Sequence, residues 1–498
     1  CVPGDVPVKI LKLCFHYIGP LLLRIINNSI VTETVPTSWK CAVVIPLHKK
    51  GDASQACNFR PITNVPAICK IVEKLVHQQI TAYLDHYRLF SEDQHGFMAC
   101  HSTTTALLTM TDQILMGMDQ SEITLLALID LSRCFDVVDH SALLTSLQQL
   151  QISTGWIKSY LTGHTQCVRL GDSLSEPRAI DVGTFQGSCL GPLLFIVISN
   201  NISCYIPSFS HVFRTFSVRY ADDTQVLVSG PRSRLPELQL ALEAVLDTLC
   251  TWFSQHGMMV NAAKTELLLC GDRRQIVQIA ENPQIQFMGE TLLFSTSVKN
   301  LGVIMDQELS WDAHISAITK RCFGILIGLI HIRHIIPPSV LPKLLDALVM
   351  SHVRYCSPVY GSASRTNLAK IQKIINFAAR VVSGRRKYDH VSDVIRELGW
   401  LRATDMVSYF DVCTMHNILS GGKPSQLRSW LSYNYEHVRR PTRQSQHLAL
   451  PKARNNHGKR RYVYRAADLY NRMAITGDYN RMPVPRLKAR FRRILANQ

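Results

Sequence analysis

Two adjacent carboxylates, Asp222 and Asp223, stand in the stretch RYADDTQVLVSG, just ahead of the apolar run Val226-Leu227-Val228. On their other side HVFRTFSV alternates roughly as a half-buried strand does. A hairpin is therefore expected to carry two like charges at its tip, where neither is buried cheaply without a partner. A third carboxylate, Asp130, closes the apolar run TLLALID. An ionised Asp at the end of a buried strand is costly unless it is paired or metal-bound. Set beside the hairpin, it would complete a site of hard oxygen ligands for divalent cations. Mg²⁺ takes carboxylates together with substrate phosphate oxygens in preference to a full protein cage. Two such ions about 4 Å apart activate an attacking hydroxyl and stabilise the leaving oxygen of phosphoryl transfer. Successive strand residues face opposite sides, so Asp222 is expected to be the main ligand shared with Asp130, and Asp223 the secondary one. Two plainer readings stay open on these residues alone: an exposed acidic turn, and an ion pair between Asp130 and the nearby Arg133.

The rest of the chain must supply the partner for such a site. The chain has 498 residues and 46% hydrophobic content, enough for a sizeable core and several domains. It carries 54 Lys and Arg against 37 Asp and Glu, a net +17, with a pI near 9.3. This balance points to a polyanionic partner. Residues 431–498 hold 16 of the bases against Glu436, Asp468 and Asp478, so a basic C-terminal module is expected. There HVRRPTR, HGKRRYVYR and RLKARFRRIL interleave arginines with aromatics. That composition suits phosphate contacts and base stacking on RNA or single strands; a solvated basic surface is the alternative. Fifteen cysteines are scattered singly, with no CxxC and no zinc-like spacing. Reduced thiols in an intracellular protein of the nucleus or cytoplasm are expected, not a secreted one. The chain opens on Cys1 and not Met, so its true N-terminus is expected to be missing. The most apolar stretch, FGILIGLIHI, is about half a membrane span and runs into Arg333. It reads as a core helix, and no membrane contact is expected.

The elements that must position the carboxylates alternate along the chain. VKILKLCFHYIGPLLLRIINNSI has helical apolar spacing, CAVVIPLHKKGD reads as a strand and basic turn, and residues 67–87 read as a long amphipathic helix. ITLLALIDLS suits a strand buried on both faces. HSALLTSLQQL looks helical, GTFQGSCLGPLLFIVISN is a glycine-rich turn leading into an apolar helix, and residues 234–257 form an amphipathic helix that stops at Gly257. The alternation makes the chain α/β or α+β. From about 311 the pattern is mainly helical, and after about 385 it turns basic and irregular.

DLSRCFDVVDH (130–140), GTFQGSCLGPLLF (183–195) and YADD (220–223) resemble, in order and spacing, the motifs of reverse transcriptases. They look most like those of non-long-terminal-repeat (LINE-type) retrotransposons. The resemblance covers nearly the whole chain. VPTSWKCAVVIPLHKKGD and NFRPIT resemble that family's fingers segments, and FSEDQHGFMACHSTTTALL its Q-x-GF…ST block. VNAAKTELLL and NLGVIMDQELSWDAHI resemble the segments after the acidic hairpin. VRYCSPVYG with LAKIQKIINFAARVV resembles the thumb, and ELGWLRATDMVSY the C-terminal region. The resemblance implies an α+β right-hand polymerase with an antiparallel palm sheet. Fingers and palm would span 27–305, a helical thumb 306–385, and a basic C-terminal helical module 386–498. It implies an RNA-directed DNA polymerase that extends a DNA primer on an RNA template with dNTPs, under two Mg²⁺ ions with Mn²⁺ as substitute. Family members prime on nicked chromosomal DNA, and their nicking endonuclease usually lies N-terminal; no such domain fits ahead of residue 27.

Carried over residue by residue, the family's metal ligands fall on Asp130, Asp222 and Asp223. Phe135 matches the aromatic under the nucleotide sugar, where a ring would clash with a 2′-hydroxyl; core packing is its plainer role. Gln186 and Gly187 open the glycine-rich turn, whose amides and following helix N-terminus favour phosphate or template backbone. By resemblance Gln186 faces the incoming nucleotide. Arg60 in NFRPIT matches the fingers arginine that grips the triphosphate with its guanidinium fork, and Lys50, beside Lys49, either assists or is merely solvated. Lys264 in NAAKTE matches a lysine near the pyrophosphate leaving group, as a general acid or a positioning charge. Asp136 and Asp139 read as cap or turn residues. The chain departs from the family at Phe185, where proline is usual, at His95 and Met98, where Phe and Arg are frequent, and at Asn201, where many members have Asp. Met98 removes a template-phosphate contact. Phe135, and Ala221 in place of glycine in YADD, argue against an RNA-dependent RNA polymerase. A catalytically inactive remnant that at most binds RNA or DNA is the remaining rival.

Overall fold

The computed structural model describes residues 5–132, 134–209, 212–279, 282–437, 447–474 and 482–496. Its first part runs α1 (Val8–Val31), β1 (Cys41–His48), β2 (Phe59–Asn64), α2 (Ala67–His86), α3 (Thr103–Asp119), β3 (Glu122–Ile129), β4 (Leu131–Ser132), α4 (His140–Gln149) and β5 (His164–Leu170). The middle part runs α5 (Gly191–Ile198), β6 (Arg214–Tyr220), β7 (Asp223–Pro231), α6 (Leu235–Gln255), β8 (Met259–Val260), β9 (Glu266–Cys270), β10 (Gln284–Phe287) and β11 (Glu290–Ser295). The last part contains α7 (Asp312–Ile332), α8 (Arg365–Ser383), α9 (Ala403–Gly421), α10 (Tyr462–Ala474) and α11 (Val484–Ala496).

β3 is central in a six-stranded sheet of order β10-β11-β9-β3-β7-β6. It pairs antiparallel with both neighbours, β9 and β7. Its apolar run follows from burial on both faces. Ile123, Leu125, Ala127 and Ile129 join one core with α2, α5 and α6, and Leu126 joins a second core with α3 and α7. The same period of two sends Val226 and Val228 to the first core and Leu227 to the second. Burying each large aliphatic side chain contributes about 1.5–3 kcal/mol, so the sheet's position between two cores is strongly specified. A smaller sheet forms beside it, with β1 antiparallel to β2 and parallel to β5.

The expected helices form close to their sequence bounds. α3 opens on a capping box between Ser102 and Thr105, and α6 ends ahead of Gly257, whose φ of +77° suits a glycine stop. α7 packs on α8 through Phe323 and Phe377, ring centroids 5.5 Å apart, with Cys322, Leu326 and Leu329 buried. α1 and α7 are both long and apolar enough to cross a membrane, by length and composition alone. α7 buries one face in the core; α1 leaves Leu13, Phe15 and Tyr17 exposed.

Beyond residue 385 the described residues form α9, α10, α11 and shorter helices joined by irregular stretches, the helical module that the resemblance implies and that the sequence pattern alone does not show. The expectation that HGKRRYVYR faces nucleic acid is corrected. α3 carries two buried carboxylates, Asp112 and Asp119, that need donors. The backbone N–H of Val463 donates to Asp112 at 3.0 Å, and those of Arg454 and Asn455 to Asp119 at 2.9 and 2.8 Å. Arg460 donates to the Leu309 carbonyl, Arg465 binds Asp411 and the Pro358 carbonyl, and Arg461 and Tyr462 are buried. Arg460 and Arg465 satisfy internal acceptors. RLKARFRRIL, by contrast, forms the amphipathic α11, with Leu487 and Phe491 buried and Arg486, Lys488 and Arg490 on its outer face. Most of HVRRPTR lies outside the described residues.

Candidate active site

β3 ends at Ile129, and Asp130 follows at the step into β4, which pairs with β8. The β3–β7 register sets Ile129 opposite Thr224, which brings Asp130 alongside Asp223. β6 and β7 are joined by Ala221 and Asp222, with Tyr220 paired to Asp223 and Ala221 at a φ of +57°. Just past β8, a single turn Ala262–Lys264 delivers Lys264, whose Nζ lies 3.6 Å from Asp130 Oδ2. Asp130 therefore pairs with Lys264; the alternative partner, Arg133, lies outside the described residues.

Asp222 is half-buried and accepts from the thiol of the buried Cys134 at 3.4 Å. Burial, and then the Asp222 charge, push that thiol far above its usual range. Asp223 keeps an exposed outer side. Burial of its inner side, followed by the charges of Asp222 and Asp130, raises its pKa to about 6. Asp223 thus feels the charges of both other carboxylates at the strand ends. Among the described residues no three His, Cys, Asp or Glu side chains close into a ready metal cage. The donor set is anionic, hard and incomplete, which fits Mg²⁺ or Mn²⁺ completed by phosphate oxygens.

Phe135 packs on Phe195 at 4.6 Å and meets Phe97 edge-on at 6.4 Å. It is half-buried, so the core-packing role holds at least in part. Gln186 donates from Nε2 to Asp136 Oδ1 at 3.1 Å, and its carbonyl accepts from the Thr63 N–H at 2.6 Å. Gly187 has a φ of +109°, and a Cβ there would lie 2.6 Å from the Thr63 carbonyl oxygen, so this turn requires glycine. β2 is thereby docked on the glycine-rich turn. Arg60 on β2 and Lys50 beyond β1 are exposed in the same hairpin, and among the described residues no bond joins either to the carboxylates. Asp139 caps α4 by accepting the Ala142 N–H at 2.7 Å, as read from sequence. Phe185 is buried against His164, ring centroids 4.4 Å apart.

Two supporting groups escaped the sequence reading. Glu73 on α2 is fully buried, and its carboxylate accepts the Cys189 N–H and the Tyr160 hydroxyl, each at 2.7 Å. Burial raises its pKa, and the hydrogen bonds from the Tyr160 hydroxyl, the Cys189 N–H and the Cys69 thiol, the last at 3.7 Å, oppose that. The signal was there: Cys69, Val72, Glu73, Val76 and Ile80 share one buried face at helical spacing. Arg219, directly before the YADD motif, is buried in a two-pronged pair with Asp93 at 2.7 and 3.0 Å.

Residues 47–305, just over half of the chain, match the family described as Reverse transcriptase (RNA-dependent DNA polymerase). The chain belongs to that family, and its architecture of sheets and a helical C-terminal part is the right-hand polymerase class expected from the motifs. Within it, the chain groups with the LINE-type non-LTR retrotransposon enzymes. It is 27% identical over 400 residues to the Probable RNA-directed DNA polymerase from transposon BS of Drosophila melanogaster, covering 78% of this chain and 43% of that protein. It is 26% identical over 385 residues to the RNA-directed DNA polymerase from mobile element jockey of the same organism, covering 76% and 41%. The chain therefore spans about two-fifths of the length of these relatives. Apo telomerase from Candida tropicalis overlays at a TM-score of 0.39 and 11% identity, covering 83% of this chain and 74% of that one.

Proposed function

We propose that this protein is the RNA-directed DNA polymerase of a non-LTR retrotransposon, extending a DNA 3′-hydroxyl on an RNA template with dNTPs. The carrying observation is the convergence of Asp130, Asp222 and Asp223, with Lys264 at 3.6 Å from Asp130, at the ends of the central strands. The three carboxylates would hold two Mg²⁺ ions, or Mn²⁺ in their place. When bound, those ions supply activation of the primer hydroxyl and charge neutralisation at the leaving pyrophosphate. The chain's own groups do the rest. Lys264 keeps a positive charge beside the leaving group, as a proton donor or a fixed charge. Phe135 places its ring under the sugar, where a 2′-hydroxyl would clash. Arg60 and Lys50, on an exposed hairpin docked to the glycine-rich turn, reach for the triphosphate. Gln186 and Gly187 border the nucleotide.

In this reading fingers and palm span 27–305, the thumb 306–385 and the C-terminal module 386–498. The outer face of α11 supplies further nucleic-acid contact. Priming on nicked chromosomal DNA, by a protein found in the nucleus or in a cytoplasmic ribonucleoprotein, is the setting that agrees with the relatives' transposon origin. Extension of oligo(dT) on poly(rA) tests the reading, with Asp222→Ala as control and rNTPs as competitor substrates. Wild-type synthesis from dNTPs well above the variant is expected. Equal signals would mark an inactive, binding-only protein, and a clear rNTP preference an RNA polymerase.

A further inference from the structure

Residues 93–96, from the stretch SEDQHGF, run along the open edge of β6 where it becomes the acidic turn. The His95 N–H donates to the Arg219 carbonyl and the Arg219 N–H to the Asp93 carbonyl, both at 2.7 Å. The Asp93–Arg219 ion pair holds the same two segments together through their side chains. His95 Nδ1 sits 3.0 Å from Thr105 Oγ1, in the capping box of α3. This short ribbon is thus anchored to a buried helix on one side and to the hairpin on the other.

Gln94 lies where the ribbon meets the turn, and it is 1% exposed. Its Oε1 accepts the N–H of Gly96 at 2.7 Å and that of Ala221 at 2.9 Å. Its Nε2 donates to the Ala221 carbonyl at 3.2 Å. One side chain therefore answers both backbone polar groups of the residue before Asp222. A Cβ at position 96 would lie 2.1 Å from the Ala221 nitrogen, so glycine there lets the ribbon lie this close. Ala221 needs such help. It holds a left-handed φ of +57° without being glycine, and the two acids after it repel each other and Asp130.

We propose that Gln94 is a positioning residue, whose amide locks the Ala221 peptide and thereby aims Asp222 and Asp223 at their common site. This rests on the reading of those carboxylates as the metal-holding groups. Gln94→Met keeps the length of the side chain and removes its hydrogen bonds; Leu108→Ala, in the buried core of α3, is a control that destabilises without touching the turn. Three measurements are made on each full chain, well below its unfolding temperature. Hydrogen exchange of peptides covering 219–226 is expected to quicken about tenfold in Gln94→Met, with 105–118 unchanged. Mn²⁺ affinity, read by electron paramagnetic resonance on the free protein, is expected to weaken about fivefold or more. Primer extension is expected to lose about tenfold or more in kcat, with KM for template-primer within about twofold. Leu108→Ala is expected to keep all three. If Gln94→Met does not fold, Gln94→Asn, one methylene too short to reach Ala221, takes its place. Wild-type exchange in the variant overturns the proposal. So does faster exchange with Mn²⁺ affinity and kcat within about twofold of wild type, or an equal loss in Leu108→Ala. If wild type shows no polymerisation, the functional reading falls, and exchange and Mn²⁺ affinity still decide the role of Gln94.

Discussion

Lys264 and Asp130 face each other at 3.6 Å with their side chains 67% and 41% exposed. A pair this solvated contributes about 0–1 kcal/mol to stability, so its reason for being there is chemical. Lys264→Met is expected to leave the thermal midpoint within about 2 °C while lowering kcat for primer extension about 10²-fold, the low end of general-acid help. Lys264→Arg then separates the two roles. A guanidinium restores fixed charge and does not give up its proton, so recovery of kcat marks a positioning charge and no recovery marks a proton donor. Unchanged kcat in Lys264→Met would remove the lysine from the site. The carboxylates stood out in sequence by their type and placement, and this lysine only through the resemblance of NAAKTE to a family segment. Gln94 and Glu73 did not stand out, because each acts on backbone amides 127 and 116 positions away. No local pattern announces a partner at that distance.

At the scale of elements, α2 reaches the glycine-rich turn through Glu73. Its carboxylate is the buried acceptor for the Cys189 N–H and the Tyr160 hydroxyl. Removing it leaves these two donors and the Cys69 thiol unpaired, and a void. Glu73→Ala is therefore expected to cost about 3–5 kcal/mol in urea denaturation, whereas Glu73→Gln, which keeps the shape and an acceptor, costs about 1 kcal/mol. Equal losses for the two would mean that packing, not the hydrogen bonds, is what Glu73 provides. Elements with one dominant period were readable from residues alone: the doubly buried β3, the amphipathic α2 and α6, and the stop at Gly257. The segment after 446 was not. Its arginines and tyrosines look like a nucleic-acid surface until Asp112 and Asp119 of α3 are seen to claim its backbone amides. The C-terminal pairing is decided by those two buried charges and not by local composition.

Across the whole molecule, the sheet divides two cores, and the C-terminal segment closes on the one that holds α3, α7 and α8. Buried histidines sit in each region: His95 on the ribbon, His164 on β5 and His314 at the start of α7. Burial, the first cause in each case, lowers their pKa values to about 3, 4 and 4. All three are neutral in the folded chain, whereas in the unfolded chain they protonate near pH 6.5. A depressed folded-state pKa gives stability that is fully present above pH 6.5 and is lost as pH falls toward 4. Each histidine then removes up to about 1.4 kcal/mol per pH unit. Urea denaturation at pH 7.5, 6 and 5 is expected to show a flat upper range and a steep decline below. His314→Asn preserves an acceptor for the Ile304 N–H, which His314 Nδ1 now accepts at 3.4 Å. It is expected to reduce that acid slope, since one group with a depressed pKa is removed. A stability as high at pH 5 as at pH 7.5 would mean that these histidines find proton-accepting partners in the fold. An unchanged slope in His314→Asn would shift the acid sensitivity to the other two.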